Sequence, residues 1–162
     1  MEQKEYRPNV AVIIVNLSGK VLWCQRKQHD GWQFPQGGID KGETPVEAAL
    51  RETKEEVGLD EHDIEIVYES QQWFKYKVPK EKRTGYFTKK IFFGQKQKWV
   101  LARLLSDESK IDLNAYRPIE FDKWVWANYW HPINAVVSFK KETYRQALLS
   151  ILPEYNKLTK KL

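Results

Sequence analysis

The sequence comprises 162 residues, which is enough for one domain with a sizeable core. Its formal net charge of +5 suits a polyanionic partner without establishing one. Its one cysteine, Cys24, cannot form an internal disulfide and lies in an apolar run, where burial is expected. A single cysteine and the lack of a signal-peptide pattern predict a cytoplasmic protein. No apolar run approaches the ~20 residues that cross a bilayer, which excludes a membrane-spanning helix.

The first part of the chain is predicted to form β-strands. Val10–Val15 is an apolar, β-branched run, and a turn separates it from a second apolar run at Val21–Arg26. The two runs predict a hairpin with a buried first strand, preceded by a polar lead-in that ends at Arg7. Trp32–Gln36 alternates aromatic and polar residues and predicts a short strand that leads into two glycines.

A helix is predicted from signals at both of its ends. Thr44 and Glu47 have the spacing of a capping box, Pro45 occupies the first helical position, and Gly58 is placed to end the helix in a left-handed conformation. Residues at helical spacing predict a buried stripe: Val46, Ala49, Leu50, Thr53 and Val57.

The same helix carries three carboxylates on a second face. Glu52, Glu55 and Glu56 lie three and four residues apart, where like charges repel by a few tenths of a kcal/mol per pair. A hard divalent cation such as Mg²⁺ would compensate this repulsion, because it binds carboxylate oxygens and bridges to phosphate. The alternative is a solvated helix face paired with Arg51 and Lys54. The glycines and the cap beside the cluster favour the metal site.

The remaining elements complete an alternation of strands and helices. Strands are predicted at Ile64–Tyr68, Trp73–Val78, Trp99–Leu105 and Phe121–Ala127, a helical turn at Pro132–Val137, and an amphipathic helix at Lys140–Leu152. In the last strand, Trp124 and Trp126 are expected on one side and Phe121 on the other. Pro153 is expected to end the final helix and leave a frayed basic tail. The order predicts an α/β fold in which a mixed sheet is sandwiched between helices.

The stretch that contains the acidic face, GGIDKGETPVEAALRETKEEVGL at positions 37 to 59, resembles the Nudix box of hydrolases that act on nucleoside diphosphates linked to another group. The matching positions are Gly37, Glu43, Arg51, Glu52, Glu55, Glu56, Gly58 and Leu59. The pattern has an apolar residue at Thr53, whose methyl can pack and whose hydroxyl can bond to a helix carbonyl, so no loss of activity is expected. The resemblance implies a single domain of the Nudix fold over residues 1–162, with a core of about 6–152 and a basic tail at 153–162.

The resemblance also implies the chemistry. Metal ions, Mg²⁺ or a substitute such as Mn²⁺, would bridge phosphate oxygens and activate the water that attacks the phosphoanhydride. The implied catalytic residues are Arg51, Glu52, Glu55, Glu56 and Glu120, and the implied metal site consists of Gly37, Glu52, Glu55, Glu56 and Glu120. Arg51 is expected to orient a carboxylate, because arginine holds carboxylates in a bidentate manner. Apart from the resemblance, Glu120 would be interpreted as an ordinary loop acid.

Segments outside the box resemble a bacterial branch of the family that acts on RNA 5′ ends and overlaps with dinucleoside polyphosphate hydrolases. The segments are residues 6–10, 32–38, 94–99, 120–122 and 136–140. This implies a monomer that converts triphosphorylated or diphosphorylated RNA 5′ ends to monophosphates and so initiates mRNA decay. The implied substrate-binding residues are Arg7, Arg26, Lys98, Phe139 and Lys140. Phe139 is expected to stack on a base, with core packing as the alternative.

A basic and aromatic stretch lies between Lys75 and Lys98, where nine basic residues accompany only one acid, Glu81. Its later aromatic residues are Tyr86, Phe87, Phe92 and Phe93. Taken alone, this pattern is typical of a solvated strand face. Beside a site that hydrolyses phosphoanhydrides, it indicates a groove for a polyphosphate or an RNA backbone.

Two alternative functions stay open. One is hydrolysis of diadenosine tetra- or pentaphosphate, which would use the same metals and the same attack on phosphorus. The other is a non-catalytic Nudix-fold module that binds RNA. The complete set of Glu52, Glu55 and Glu56 argues against the second, because a module without chemistry would not need repelling carboxylates on one face.

Overall fold

The computed structural model describes residues 6–28, 31–83 and 92–162. In this part of the chain an eight-stranded sheet is flanked by three α-helices. The strands are β1 (Tyr6–Val15), β2 (Val21–Arg26), β3 (Trp32–Gln33), β4 (Gln36–Gly38), β5 (Ile64–Glu69), β6 (Phe74–Lys77), β7 (Gly94–Leu104) and β8 (Phe121–Ala127). The helices are α1 (Pro45–Val57), α2 (His131–Ala135) and α3 (Lys141–Thr159). None of these helices is long and apolar enough to cross a bilayer.

The centre of the sheet is the parallel pair of β1 and β7, which runs from Tyr6 opposite Gly94 to Val15 opposite Arg103. The other pairs are antiparallel: β1 with β2 and β4, β7 with β5 and β6, and β2 with β3 and β8. The sheet is therefore mixed. The predicted hairpin of β1 and β2 and the predicted α/β Nudix fold are both confirmed.

Hydrophobic cores lie on both faces of the sheet because successive residues of a strand point to opposite sides. In β1, Ala11, Ile13 and Val15 pack towards α3, whereas Val10, Val12 and Ile14 pack towards α1. We call these the α3 face and the α1 face of the sheet. The α1 face also holds Cys24, which is fully buried as predicted, and burial raises the pKa of its thiol. The sandwich of sheet between helices follows from this alternation.

The boundaries of α1 are those that the sequence predicts. The side chain of Thr44 accepts a hydrogen bond from the Glu47 amide at 3.1 Å, and the Glu47 side chain accepts one from the Thr44 amide at 3.0 Å. Gly58, at the end of the helix, has φ 75°. One detail of the prediction is wrong: the hydroxyl oxygen of Thr53 is buried without a hydrogen-bond partner. It makes no bond to a helix carbonyl, although the side chain packs in the interior as expected.

Three strand predictions differ from the structure. β1 begins at Tyr6, inside the predicted polar lead-in, and β7 begins at Gly94 instead of Trp99. Both extensions form together, because the parallel ladder pairs these two polar segments with each other. The predicted single strand at Trp32–Gln36 is instead two short strands, β3 and β4, which pair with β2 and β1 respectively.

Phe121 lies on the same side of β8 as Trp124 and Trp126, contrary to the simple alternation. All three pack with the core of the α1 face. The cause is a register shift: Gln25 pairs with Lys123, but its neighbour Arg26 pairs with Phe121. One extra residue in β8 reverses the direction of the side chains that precede it.

The last helix does not end at Pro153. Instead α3 continues to Thr159 with this proline inside it, so the predicted frayed tail is wrong. Packing explains the continuation: Leu158 is buried, and Tyr155 stacks on Tyr129 with ring centroids 4.1 Å apart. The Tyr155 hydroxyl also donates a hydrogen bond to the Gly19 carbonyl. These contacts offset the helix hydrogen bond that proline cannot make.

Candidate functional site

Arg51 joins helix α1 to the glycine-containing segment that precedes it. Its guanidinium forms two bonds to Glu43, at 2.8 and 2.9 Å, and one to Glu52 at 2.7 Å. It also donates to the carbonyl of Gly38 at 2.8 Å. Hydrogen bonding to Arg51 lowers the pKa of Glu43 to about 2, so this carboxylate stays ionised as a fixed partner. The arrangement restrains Glu52, and the orienting role that the resemblance implied for Arg51 stays a prediction.

Glu52 and Glu56 form the buried part of the acidic face. Glu56 is only 3% exposed, and its carboxylate accepts a hydrogen bond from the Gln36 amide at 3.1 Å. Burial, followed by the negative charges of Glu52 and Glu120, raises the pKa of Glu56 well above its usual value. Burial is also the main cause of the raised pKa of Glu52, which Arg51 opposes. The protein alone therefore leaves the negative charge of this pair poorly compensated.

Gly37 provides the space into which the Glu52 carboxylate fits. A Cβ at this position would lie 1.9 Å from the Glu52 Cδ, which is too close for two carbon atoms that are not bonded to each other. The absent side chain and the poorly compensated carboxylates fit a hard cation with oxygen ligands. Glu52 and Glu56 would supply carboxylate oxygens from one helix, beside the backbone of Gly37.

The other two acidic candidates are more exposed. The Glu55 side chain is 49% exposed and lies 3.5 Å from Arg51. Glu120 is exposed too, yet it lies close enough to raise the pKa of Glu56. Within residues 6–28, 31–83 and 92–162, no three acidic, histidine or cysteine side chains converge as a ready-made metal site. The carboxylates border one region without enclosing it.

Candidate substrate-binding residues lie near the other side of the same sheet region. A Cβ on Gly38 would lie 2.3 Å from the Arg7 guanidinium, so Arg7 covers this glycine as Glu52 covers Gly37. Lys140 is 5% exposed, and its ammonium donates to the Gln33 side chain at 3.1 Å. Burial, followed by the charge of Arg26, lowers the pKa of Lys140 to about 7.

Phe139 is half-buried at the entrance to this basic region. Its ring lies 5.9 Å from the Tyr76 ring at a tilt of 47°, and the Lys82 ammonium lies 5.5 Å from its centroid. The ring is neither fully enclosed in a core nor free in solvent. This environment, an aromatic surface beside cations, suits a base that carries a phosphate.

Lys98 makes a separate set of contacts from the other substrate-binding candidates. Its ammonium donates to the carbonyls of Ser70, at 3.1 Å, and of Gln71, and lies 5.3 Å from the centroid of the Trp73 ring. Lys98 is the last residue of the basic and aromatic stretch that begins at Lys75. Tyr86, Phe87, Lys89 and Lys90 lie outside the described residues.

Sequence reasoning assigned no role to a buried chain of amides below the acidic pair. The Gln97 side-chain amide donates to Asn9 at 2.9 Å and to the side chain of Gln36 at 2.8 Å. The backbone amide of Gln36 in turn binds Glu56. The signal was present in the alternation of Gln95 and Gln97, but the basic stretch around them was interpreted as a solvated strand face or a phosphate groove, and the pairing with β1 buries both glutamines.

Comparisons with known proteins agree with this geometry. The NUDIX domain family matches residues 5–155. The chain is 50% identical over 143 residues to the RNA pyrophosphohydrolase of Mannheimia succiniciproducens, covering 88% of this chain and 72% of that protein. It is 48% identical over 149 residues to the RNA pyrophosphohydrolase of Francisella tularensis subsp. mediasiatica, covering 91% of this chain and 94% of that protein.

The fold is also found in a solved structure, that of the Escherichia coli dihydroneopterin triphosphate pyrophosphohydrolase. The TM-score is 0.64 at 18% identity, and the match covers 90% of this chain and 98% of that one. Nudix hydrolases generally depend on divalent metal ions. The chain therefore belongs to the Nudix hydrolase family and is an enzyme of the pyrophosphohydrolase class.

Proposed function

We propose that this enzyme hydrolyses the 5′-terminal phosphoanhydride of RNA. It removes pyrophosphate from a triphosphorylated end, or phosphate from a diphosphorylated end, and leaves a 5′-monophosphate that enters mRNA decay in the cytoplasm. The observation that carries the proposal is the placement of one acidic and one basic region around Gly37 and Gly38. The names of the two relatives, each about half identical over most of the chain, support RNA as the substrate.

The acidic region is proposed to bind Mg²⁺, or another divalent ion such as Mn²⁺. Glu52, Glu55, Glu56 and Glu120 would hold it together with the backbone at Gly37. When bound, such ions neutralise phosphate charge and lower the pKa of the attacking water. Arg51 donates a hydrogen bond to the carboxylate of Glu52, and the Gln36 amide donates one to that of Glu56, so each carboxylate has one fixed partner.

The basic region is proposed to bind the substrate. Phe139 offers a half-buried ring on which a base can stack, an interaction that contributes roughly 1–3 kcal/mol and tolerates different bases. Arg7, Arg26 and Lys140 would bind the phosphates. Burial lowers the pKa of Lys140 to about 7, and a phosphate bound beside it would favour its charged form.

The experiment uses two short RNAs, one labelled at the γ-phosphate and one at the α-phosphate, each incubated with Mg²⁺. Labelled pyrophosphate from the first RNA and labelled monophosphorylated RNA from the second are expected. Glu56→Gln should lower turnover by orders of magnitude with an unchanged far-UV spectrum, because it removes a metal-facing charge and keeps the shape. Equal turnover in both proteins would contradict the metal assignment.

A competition assay separates the alternatives. Triphosphorylated RNA and diadenosine tetraphosphate are supplied at matched concentration, and preference for the RNA is expected. Survival of the RNA with rapid cleavage of the dinucleotide would instead assign the enzyme to the nucleotide pool. Absence of any hydrolysis with Mg²⁺ or Mn²⁺, combined with retained binding of RNA, would indicate a non-catalytic module.

A further inference from the structure

A second group of cations and aromatic rings lies on the α1 face of the sheet, beyond the acidic cluster. We call it the basic–aromatic strip, and it consists of Tyr6, Trp73, Lys75, Lys96 and Lys98. The Lys96 and Lys98 ammonium groups lie 4.7 and 5.3 Å from the centroid of the Trp73 ring. The Lys75 ammonium lies 5.1 Å from the centroid of the Tyr6 ring. Strands β1, β6 and β7, with Trp73 just before β6, therefore present cations beside rings on one surface.

The strip is costly for the isolated protein. Lys75 and Lys96 stand directly opposite each other in the ladder of β6 and β7, where like charges are destabilising. In the part of the chain that the structure describes, the ion pairs involve none of the three lysines of the strip. Trp73 is 37% exposed, a large fraction for an indole ring. An anionic partner with flat rings would offset the repulsion between Lys75 and Lys96 and cover the exposed Trp73 ring.

The sheet register connects the strip to the acidic cluster. Gly37, over which the Glu52 carboxylate lies, pairs with Val10, and Val10 pairs with Lys98. Gly37 and Lys98 are thus two strand spacings apart in one row, roughly 10 Å. A chain whose 5′ phosphates lie at the acidic cluster needs only a short extension to reach the strip.

We propose that the basic–aromatic strip binds the single-stranded body of an RNA whose 5′ end occupies the active site. A base would stack on the open part of the Trp73 ring, and Lys75 and Lys96 would contact backbone phosphates, whereas the Lys98 ammonium is bound to the carbonyls of Ser70 and Gln71. The inference rests on the proposed function and makes it more specific. A dinucleoside polyphosphate has no strand beyond its second nucleoside, so the strip would favour polynucleotides over small molecules.

The test compares kcat/KM for two triphosphorylated substrates, a dinucleotide RNA and an octanucleotide RNA. The wild-type enzyme should prefer the longer RNA, and Trp73→Ala should lower this preference about fivefold or more, since stacking contributes at least that factor. Trp73→Phe keeps a ring and should restore part of it. The control is Lys157→Gln, which removes an exposed lysine near the end of α3 and should leave the preference unchanged.

Salt dependence provides a second measurement that does not rely on the aromatic variants. Octanucleotide affinity, measured by fluorescence anisotropy, should fall with added salt, and Lys75→Gln with Lys96→Gln should reduce the logarithmic slope by about 0.7 for each lysine. An unchanged slope together with an unchanged length preference would overturn the strip as an RNA-binding surface. Failure of the wild-type enzyme to hydrolyse either RNA would instead overturn the proposed function.

Discussion

Thr53 allows a sharp test of the energetics of helix α1. Its side chain is fully buried, and its hydroxyl has no hydrogen-bond partner. A buried polar group without a partner costs about 1–3 kcal/mol, whereas an apolar group of the same shape pays no such penalty. Valine has that shape and nearly the same helix propensity as threonine. Thr53→Val is therefore expected to raise the free energy of unfolding by at least about 1 kcal/mol.

Thr143 is the matched control, because the substitution is the same but its hydroxyl has a hydrogen-bond partner. It is also buried, but its hydroxyl donates to the Lys75 carbonyl at 2.6 Å. Thr143→Val should therefore lower the free energy of unfolding by about 1 kcal/mol. Urea denaturation of both variants measures the difference, and an increase of 1 kcal/mol corresponds to about 2–4 °C in Tm. A Thr53 variant that loses as much stability as the Thr143 variant would refute the reasoning.

Three further predictions concern the site. Gly37→Ala should displace the Glu52 carboxylate, which is the end of a side chain, and lower turnover with little loss of Tm. Gly94→Ala, whose Cβ would lie 1.9 Å from a backbone oxygen, should instead lower Tm strongly. Lys140→Met should stabilise the protein at about pH 6 more than at about pH 9, as urea titrations at both pH values would show. The pKa of Lys140 in the folded protein is about 7, below its ordinary value, so above pH 7 the unfolded chain binds more protons and the stability of the wild-type protein rises with pH. Phe139→Ala should raise the KM for RNA by about fivefold or more and leave Mg²⁺ binding, measured by calorimetry, unchanged; full activity would return the ring to a packing role.

Local signals were sufficient for helix α1. Its capping box, its first-turn proline and its terminal glycine each act within a few residues, so the sequence contains all the information that sets the boundaries. The continuation of α3 past Pro153 depends instead on Tyr129 and Gly19, which contact its last turns from far away in the chain. A local rule predicted a helix end there, and tertiary packing outweighed it.

The same distinction applies to the sheet and the site. The extra residue that reverses Phe121 is visible only when β2 and β8 are paired, and the buried amides of β7 belong to a stretch that resembles a solvated strand face until β1 lies beside it. The chemistry of arginine predicted that Arg51 would bind a carboxylate of the Nudix box without saying which, and the structure shows Glu43 and Glu52. It could not predict that Lys140 would be buried against Gln33, since no local pattern relates residues so distant in sequence.

The two adjacent glycines of β4 explain how one short strand serves an acidic and a basic region at once. Successive residues of a strand point to opposite faces, so Gly37 opens towards Glu52 and Gly38 towards Arg7. Among the described strands β4 pairs only with β1, which leaves its other edge without a strand partner. A phosphoanhydride bound at this edge would contact carboxylate-held cations on one side and arginine on the other. A side chain at Gly37 would collide with the Glu52 carboxylate, and one at Gly38 with the Arg7 guanidinium, so the pair of glycines is required by the close approach of these two groups and not by a turn.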